Sequence, residues 1–528
     1  MPEPRRLQGI PASAGYAEGP LVALDGAEIR YQPTGQPSEE KHTLETALAS
    51  AIDSLAMLIA NSPRDSADML EFQLAMLEDD ALSAPAFAAI ATGAPADAAW
   101  RGALDAEIAG YEASNEDYFR ARAVDLADIR DRVLRALARE DYAAIPAGGI
   151  LYGMDLAPTR FLAVDWSRGG GVALAGGSTA SHVAMLARAR GVPMVVGLGP
   201  HRVNPAGLAL LDAEHGGILL APSRDEIETF RRSSSVFAAR RGSADAFLTR
   251  PAATRNGTPV RVQVNVADPA DVARIDIASC DGVGLMRTEF LFGKGLPDEE
   301  TQYRAYRTVL EWAAGKSVTI RTVDAGGDKP VPGFTVAETN PFLGLRGIRL
   351  SLAKPDIFRV QIRALLRAAV HGNLKVMFPM ISVPEEYSKA AGLFALEGAS
   401  LAEKGVPHAM PPLGIMVEVP SVAIAPESFA DVAFFSIGSN DLTQYVMASA
   451  RDNAAVAGLG SVANPAVLRL IAAVATFGRE RDIPVSLCGD AGGDPAAIPL
   501  LLTAGLRDLS VAPAQLALAK AAIAGVSA

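Results

Sequence analysis

The sequence predicts a multidomain α/β protein: an α/β domain carrying a helical-bundle insert, followed by a (β/α)8 barrel of the TIM type. Three observations predict this. From Pro259 onward, short apolar runs alternate with helical stretches, the pattern of strand-plus-helix units that close into a barrel. Between Ser38 and Tyr142 glycine is sparse, and alanine, leucine and charged residues dominate, a composition that favours helix. On either side of that stretch lie short β-prone runs punctuated by glycine and proline. The length of 528 residues suggests about three or four domains.

In chain order, residues 7–24 read as a β segment and 25–37 as turns. The segment 38–142 reads as three or four antiparallel helices; Leu126, Ile129, Val133 and Leu137 recur at helical spacing and give one apolar face. Within 39–141 stand 9 Lys/Arg against 21 Asp/Glu, so this segment alone carries the −12 of the whole chain. Such acidity either solubilises the helices or steers a basic partner. Short β runs return at 149–153, 171–174, 194–196 and 208–211. The expected α/β domain therefore combines 1–37 with 143–222, and the helices are inserted into it. Residues 223–256 read as a linker, with one helix over 224–241 ended by the loop 251–257. The barrel occupies 257–528, with strands expected at 260–266, 282–286, 318–322, 374–378, 413–417, 432–437, 485–487 and 508–511.

The bulk numbers exclude several classes. A net charge of −12 argues against general nucleic-acid binding. Two cysteines, Cys280 and Cys488, make no disulfide framework and fit a reducing compartment. The first residues lead into no apolar run, and no window approaches a membrane span, so a cytoplasmic protein is expected.

The chemistry gathers at two places. Gly176-Gly177-Ser178-Thr179-Ala180-Ser181-His182 reads as a glycine-rich turn opening a helix, with His182 at the helix start. Unpaired N–H groups and the positive helix end welcome an anion there and disfavour imidazolium. A neutral ring nitrogen is what a nucleophile needs, so His182 reads as a phosphoryl acceptor; the alternative is a histidine that caps a helix. In the barrel, the residues closing the apolar runs include Asn265, Arg287, Arg321, Glu418, Asn440, Asp441, Cys488 and Asp490, and barrel chemistry sits at those ends. Arg287 and Arg321 suit phosphate through their planar forks, unless they pair with Glu289 and Asp324. Glu418 and Asp441 offer hard oxygens from separate strands, a way to hold Mg2+ when substrate supplies the rest; the alternative is that they form salt bridges to the arginines. Cys488, before a glycine at a strand end, is an acid–base candidate; Cys280 reads as structural.

The loop before His182 resembles the phosphohistidine loop of enzyme I, phosphoenolpyruvate synthase and pyruvate phosphate dikinase, with Ser178 at a glycine position and Ala180 at a threonine position. The run Gly438-Ser439-Asn440-Asp441-Leu442-Thr443-Gln444-Tyr445 resembles the barrel signature of phosphoenolpyruvate-utilising enzymes, and Asn340-Pro341-Phe342-Leu343-Gly344-Leu345-Arg346-Gly347-Ile348-Arg349 matches further. The opening strand, the helical insert, the His182 loop, the linker and the barrel follow in the order of the enzyme I family of phosphoenolpyruvate–protein phosphotransferases. That resemblance implies phosphoenolpyruvate at the barrel mouth with Mg2+ on Glu418 and Asp441. Arg287, Arg321, Lys329 and Asn440 would meet the phosphate and Arg451 the carboxylate. It implies phosphoryl transfer to His182 as that residue swings in on the linker, protonation of the enolate by Cys488 to give pyruvate, and onward transfer to an HPr-like carrier docked on the insert. Dimerisation through the barrel is also implied. Departures are Gly489-Asp490 where Gly-Glu is common, the setting of Arg451, and Asn464 before Pro465. A dikinase or synthase would need an ATP-grasp module, for which residues 1–170 are too short. A non-catalytic relay would be expected to lose some of the barrel residues, and all are present.

Overall fold

The structure, a computed structural model, describes residues 5–24, 31–60, 64–112, 117–139, 146, 148–177, 179, 181–199, 201, 207–292, 295–327, 331–336, 338–450 and 456–527. The chain divides into two compact units, the first reaching Ser235 and the second starting at Val236.

The first unit is built on a mixed sheet. Its strands are β1 (Arg5–Gln8), β2 (Ile10–Ser13), β3 (Tyr16–Ala23), β4 (Ile150–Gly153), β5 (Gly171–Leu174), β6 (Met194–Val196), β7 (Leu208–Asp212) and β8 (Gly217–Leu220). Their order is β1-β8-β7-β3-β4-β5-β6-β2. β3, β4, β5 and β6 run parallel, and antiparallel strands flank them. The opening segment is thus three strands rather than one, with β1 and β2 on opposite edges of the sheet. β8 is a strand that the sequence reading does not contain.

Between β3 and β4 the chain forms five helices among the described residues, more than the three or four expected. They are α1 (Pro37–Ala60), α2 (Arg64–Leu77), α3 (Asp80–Ala91), α4 (Ala96–Glu112) and α5 (Asp117–Ala138). Leu126, Ile129, Val133 and Leu137 are all buried, as their spacing predicts. They pack in one core with Leu44, Leu55, Trp100 and Leu104. Trp100 is fully buried, and its indole N–H donates to Arg130 O at 3.1 Å, so the ring fills the core without an orphaned donor. The same core continues into sheet residues Leu151, Val172 and Val196. The short helix α6 (Pro158–Leu162) adds a polar tie, the Thr159 hydroxyl donating to the buried Asp128 carboxylate. Burial pushes Asp128 above the ordinary carboxylate range. α7 (His182–Arg190) follows β5, and α8 (Arg224–Ala244) follows β8. Glu18 on β3 accepts two hydrogen bonds from Arg231, and Tyr16 meets Phe230 edge to face, so β3 holds the start of α8.

The second unit contains a closed parallel barrel of β9 (Arg261–Val266), β10 (Gly282–Met286), β11 (Ser317–Arg321), β12 (Leu374–Phe378), β13 (Leu413–Val417), β14 (Phe435–Ile437), β15 (Val485–Leu487) and β16 (Asp508–Val511). Closure comes from β16 pairing with β9. Its helices are α9 (Glu299–Trp312), α10 (Ile348–Ala353), α11 (Pro355–Ala368), α12 (Pro384–Glu403), α13 (Pro420–Ile424), α14 (Ser439–Met447), α15 (Pro465–Arg481), α16 (Ile498–Thr503) and α17 (Leu516–Gly525). One core runs from the strands to the inner faces of these helices. β14 is shorter than the run that predicts it, because it pairs with β13 only from Phe435 onward. Asn464 caps α15: its side chain accepts from Ala466 N at 2.9 Å, with Pro465 next. That accounts for the Asn-Pro departure in helix-capping terms.

Trp100→Ala should destabilise the helical insert by about 3–5 kcal/mol, the usual cost of emptying a large aromatic site. Chemical denaturation followed by far-UV circular dichroism measures it; a loss under about 1 kcal/mol would mean that the bundle collapses onto the vacancy.

Candidate active site

In the first unit, α7 begins at His182. Ser181 is its N-cap, extended at φ −61 and ψ 154, and its hydroxyl accepts from Ala184 N at 3.2 Å. Gly191 ends the helix in the left-handed conformation, φ 66, which glycine reaches without a Cβ penalty. Arg188 reaches back to donate to Thr179 O at 2.8 Å and Ala12 O at 2.9 Å, tying the glycine-rich turn to β2. The backbone of His182 thus stands in the first turn of the helix, next to the serine that caps it. Its side chain, with Ser178 and Ala180, lies outside the described residues.

In the second unit, the strand ends converge on buried charges. Arg321 closes β11, is buried, and donates to Glu289 Oε1 at 3.0 Å and to Met416 Sδ at 3.6 Å; it also pairs with Asp324 Oδ2 at 3.1 Å. Of the alternative pairs considered from sequence, Arg321 with Asp324 forms. Glu289, however, pairs with Arg321 and not with Arg287. Arg287 is half-buried and makes no ion pair among the described residues.

The residue that sequence reasoning missed is Arg346. It is 1% exposed and spans two carboxylates. Nε and Nη2 donate to the two oxygens of Asp324 at 3.1 and 3.0 Å; Nη1 and Nη2 donate to the two oxygens of Asp441 at 3.1 and 3.0 Å. Nη1 also donates to the Tyr445 hydroxyl at 3.3 Å, which itself donates to Phe342 O at 2.6 Å. Burial alone would favour discharging both arginines, but the surrounding carboxylates hold them more firmly protonated. The available signal was the long match around Arg346, which carried no role because it lies outside the strand ends.

Glu418, after β13, is 1% exposed and accepts from Met380 N at 2.7 Å. Met380 holds a left-handed backbone, φ 57, to present that N–H, a local strain of the kind that clusters at working sites. Burial first, then the charges of Asp441 and Asp324, push the Glu418 carboxyl well above its ordinary range. Asn440 and Asp441 stand in the first turn of α14. Asn440 Nδ2 donates to Asp490 Oδ2 and Asp490 N donates to Asn440 Oδ1, both at 3.1 Å.

Cys488 directly follows β15 and is 2% exposed. Its N–H donates to Ile437 O at 3.0 Å, and its carbonyl accepts from Asn265 Nδ2 at 3.2 Å. Burial pushes the thiol up to about 11, against the pull of Ser436, Arg321 and Arg287. A thiol raised that far holds its proton at neutral pH. Lys329 and Arg451 lie outside the described residues.

The fold and this cluster define a class. Residues 241–528 match the family described as PEP-utilising enzyme, PEP-binding domain; 8–122 match its N-terminal domain and 145–216 its mobile domain. A phosphoenolpyruvate-protein phosphotransferase of Listeria monocytogenes is 34% identical, over 96% of this chain and 92% of its own length. One from Haloferax volcanii is 40% identical, over 76% of this chain and 72% of its own. An NMR solution structure of Enzyme I matches 44% of this chain and 99% of its own, at 23% identity and a TM-score of 0.37. The chain belongs to the phosphoenolpyruvate-protein phosphotransferase family of enzymes. No helix among the described residues is long and apolar enough to cross a membrane.

Two outcomes follow from the geometry. Arg346→Met should destabilise the second unit by about 3–5 kcal/mol, because it leaves Asp324 and Asp441 buried without their cation; urea unfolding measures the loss. Alkylation of Cys488 by iodoacetamide, followed by peptide mass spectrometry, should stay slow at pH 7–8. It should accelerate about tenfold per pH unit towards about 11, since only the thiolate reacts.

Proposed function

We propose that the chain transfers the phosphoryl group of phosphoenolpyruvate to His182 and then to a histidine of an HPr-like carrier protein, releasing pyruvate. The observation that carries this reading is the buried Cys488 just after a barrel strand, within electrostatic reach of Arg321, Arg287 and Glu418, in a chain that also starts a helix at His182. A ring nitrogen of His182 attacks phosphorus, the bond from phosphorus to the enol oxygen breaks, and the enolate leaves. The Cys488 thiol then gives its proton to the methylene carbon, forming pyruvate. Arg287, Arg321 and Lys329 neutralise phosphate charge, Asn440 hydrogen-bonds it, and Arg451 meets the carboxylate. Positioning and charge neutralisation lower the barrier.

The donor set fits Mg2+. Glu289, Asp324, Glu418 and Asp441 face Arg321 and Arg346, a formal excess of two negative charges in a buried cluster. Glu418 and Asp441 supply hard oxygens on separate elements, and substrate would complete the shell. When bound, the ion would stabilise charge on the phosphoryl oxygens. The acidity of 39–141 supports a docking role for the insert toward a basic carrier. Association of two copies through the barrel, a cytoplasmic location and a place at the first step of a phosphotransferase system complete the reading.

Incubation with labelled phosphoenolpyruvate and Mg2+, without ATP, should give an acid-labile phosphoprotein and pyruvate. His182→Ala should abolish labelling. Cys488→Ala should lower turnover from phosphoenolpyruvate by about 10²–10⁴-fold, the usual worth of a positioned acid. Phosphorylation of His182 from a phosphorylated carrier should remain near normal in Cys488→Ala. Near-wild-type pyruvate formation by Cys488→Ala would remove the thiol from the mechanism.

A further inference from the structure

The end of β15 and the start of α14 are joined by contacts that the proposed roles do not use. Cys488 N donates to Ile437 O at 3.0 Å, just before α14. Gly489 comes so close to the helix start that a Cβ there would lie 2.8 Å from Ser439 N, nearer than real Cβ contacts allow. One residue further on, Asp490 and Asn440 exchange two hydrogen bonds: Asn440 Nδ2 to Asp490 Oδ2, and Asp490 N to Asn440 Oδ1, both at 3.1 Å.

The exchange fixes the side-chain amide of Asn440 completely. Its oxygen must face the Asp490 N–H, and one of its two N–H groups must face the Asp490 carboxylate. A flipped amide would set N–H against N–H and oxygen against carboxylate. Asn440 has no further hydrogen bond among the described residues, so one N–H remains for a ligand. The carboxylate of Asp490 is exposed and supports nothing in the core. Its hydrogen-bonded partner is the one residue of the α14 start that the proposed reading places on phosphate.

We propose that Asp490 is a positioning residue for phosphoenolpyruvate, holding the Asn440 amide with its remaining N–H available to a phosphoryl oxygen. This rests on the reading of the barrel as the phosphoenolpyruvate site. Asp490 acts through Asn440 and gives up no proton. The shorter Asp side chain after Cys488-Gly489 reaches Asn440 directly, so the departure from the more common Gly-Glu keeps this function.

The test uses the full chain and steady-state pyruvate formation with varied phosphoenolpyruvate. Asp490→Ala should raise KM for phosphoenolpyruvate about 10-fold or more, the effect of losing one charge-assisted orienting bond, while kcat changes less. Asp490→Asn keeps an oxygen that can accept from Asn440 Nδ2 and should return KM to within about threefold of wild type. Asn440→Ala should raise KM at least as much as Asp490→Ala, and the double variant should be no worse than Asn440→Ala, because the two residues act as one unit. A KM for Asp490→Ala within about twofold of wild type would overturn the proposal. So would multiplying effects in the double variant, or an Asp490→Asn variant as impaired as Asp490→Ala. Absence of phosphoenolpyruvate-dependent labelling in the wild-type chain would instead overturn the assigned reaction, leaving the two failures distinct.

Discussion

The barrel mouth depends on one interaction, the bidentate grip of Arg346 on both Asp324 and Asp441. With Arg321 on Asp324 and Glu289, it makes a continuous chain of buried charge from the turn after β10 to the first turn of α14. Such a chain is poor evidence for stability, since desolvating five ionisable groups costs much of what their attraction returns. It does fix geometry. Each guanidinium presents a rigid planar fork, and each carboxylate it meets is set in position and plane. Groups that are oriented before substrate arrives need no reorganisation when charge develops, which is where electrostatic catalysis gains most.

The same grip explains the unusual surroundings of Glu418. With two guanidiniums committed to Asp324, Asp441 and Glu289, little cationic charge is left for a fourth carboxylate. Glu418 is held instead by one backbone N–H, from a methionine in a strained conformation. A buried carboxylate so arranged is unsatisfied as an ion.

Much of this was legible in the sequence, and the failures have physical causes. The barrel strands are buried on both faces, so they read as plain apolar runs between turns. The exposed helices were miscounted because the break between α2 and α3 contains neither glycine nor proline. Asp79 makes it, accepting from Ala81 N at 2.9 Å as an N-cap. β8 escaped because four residues give no readable period, and it exists through pairing with β7 and β1. At the site, Arg321, Glu418, Asp441 and Cys488 were visible because a polar residue that ends an apolar strand breaks a simple rule. Arg346 follows no strand, and its bond to Asp441 spans 95 positions. The alternative pairing of Glu289 with Arg287 does not form for the same reason: the partner of Glu289 is Arg321, set by which strand ends face each other, and closeness in sequence carries no information about that.

The charge is unevenly distributed along the chain. The segment 39–141 holds an acidic excess equal to that of the whole chain, so the remainder is balanced. A trianionic substrate gains nothing from the overall field, and the two buried arginines are already committed to carboxylates, which leaves Arg287, with no ion pair among the described residues, as a local cation at a strand end. A basic protein partner, by contrast, is attracted by a broad acidic surface and needs no buried charge, because the encounter must be fast and reversible. The negative excess lies on the segment of helices inserted between β3 and β4, apart in sequence from the arginines of the barrel. It also accounts for a protein that is acidic overall while its most deeply buried side chains at the barrel mouth include two arginines.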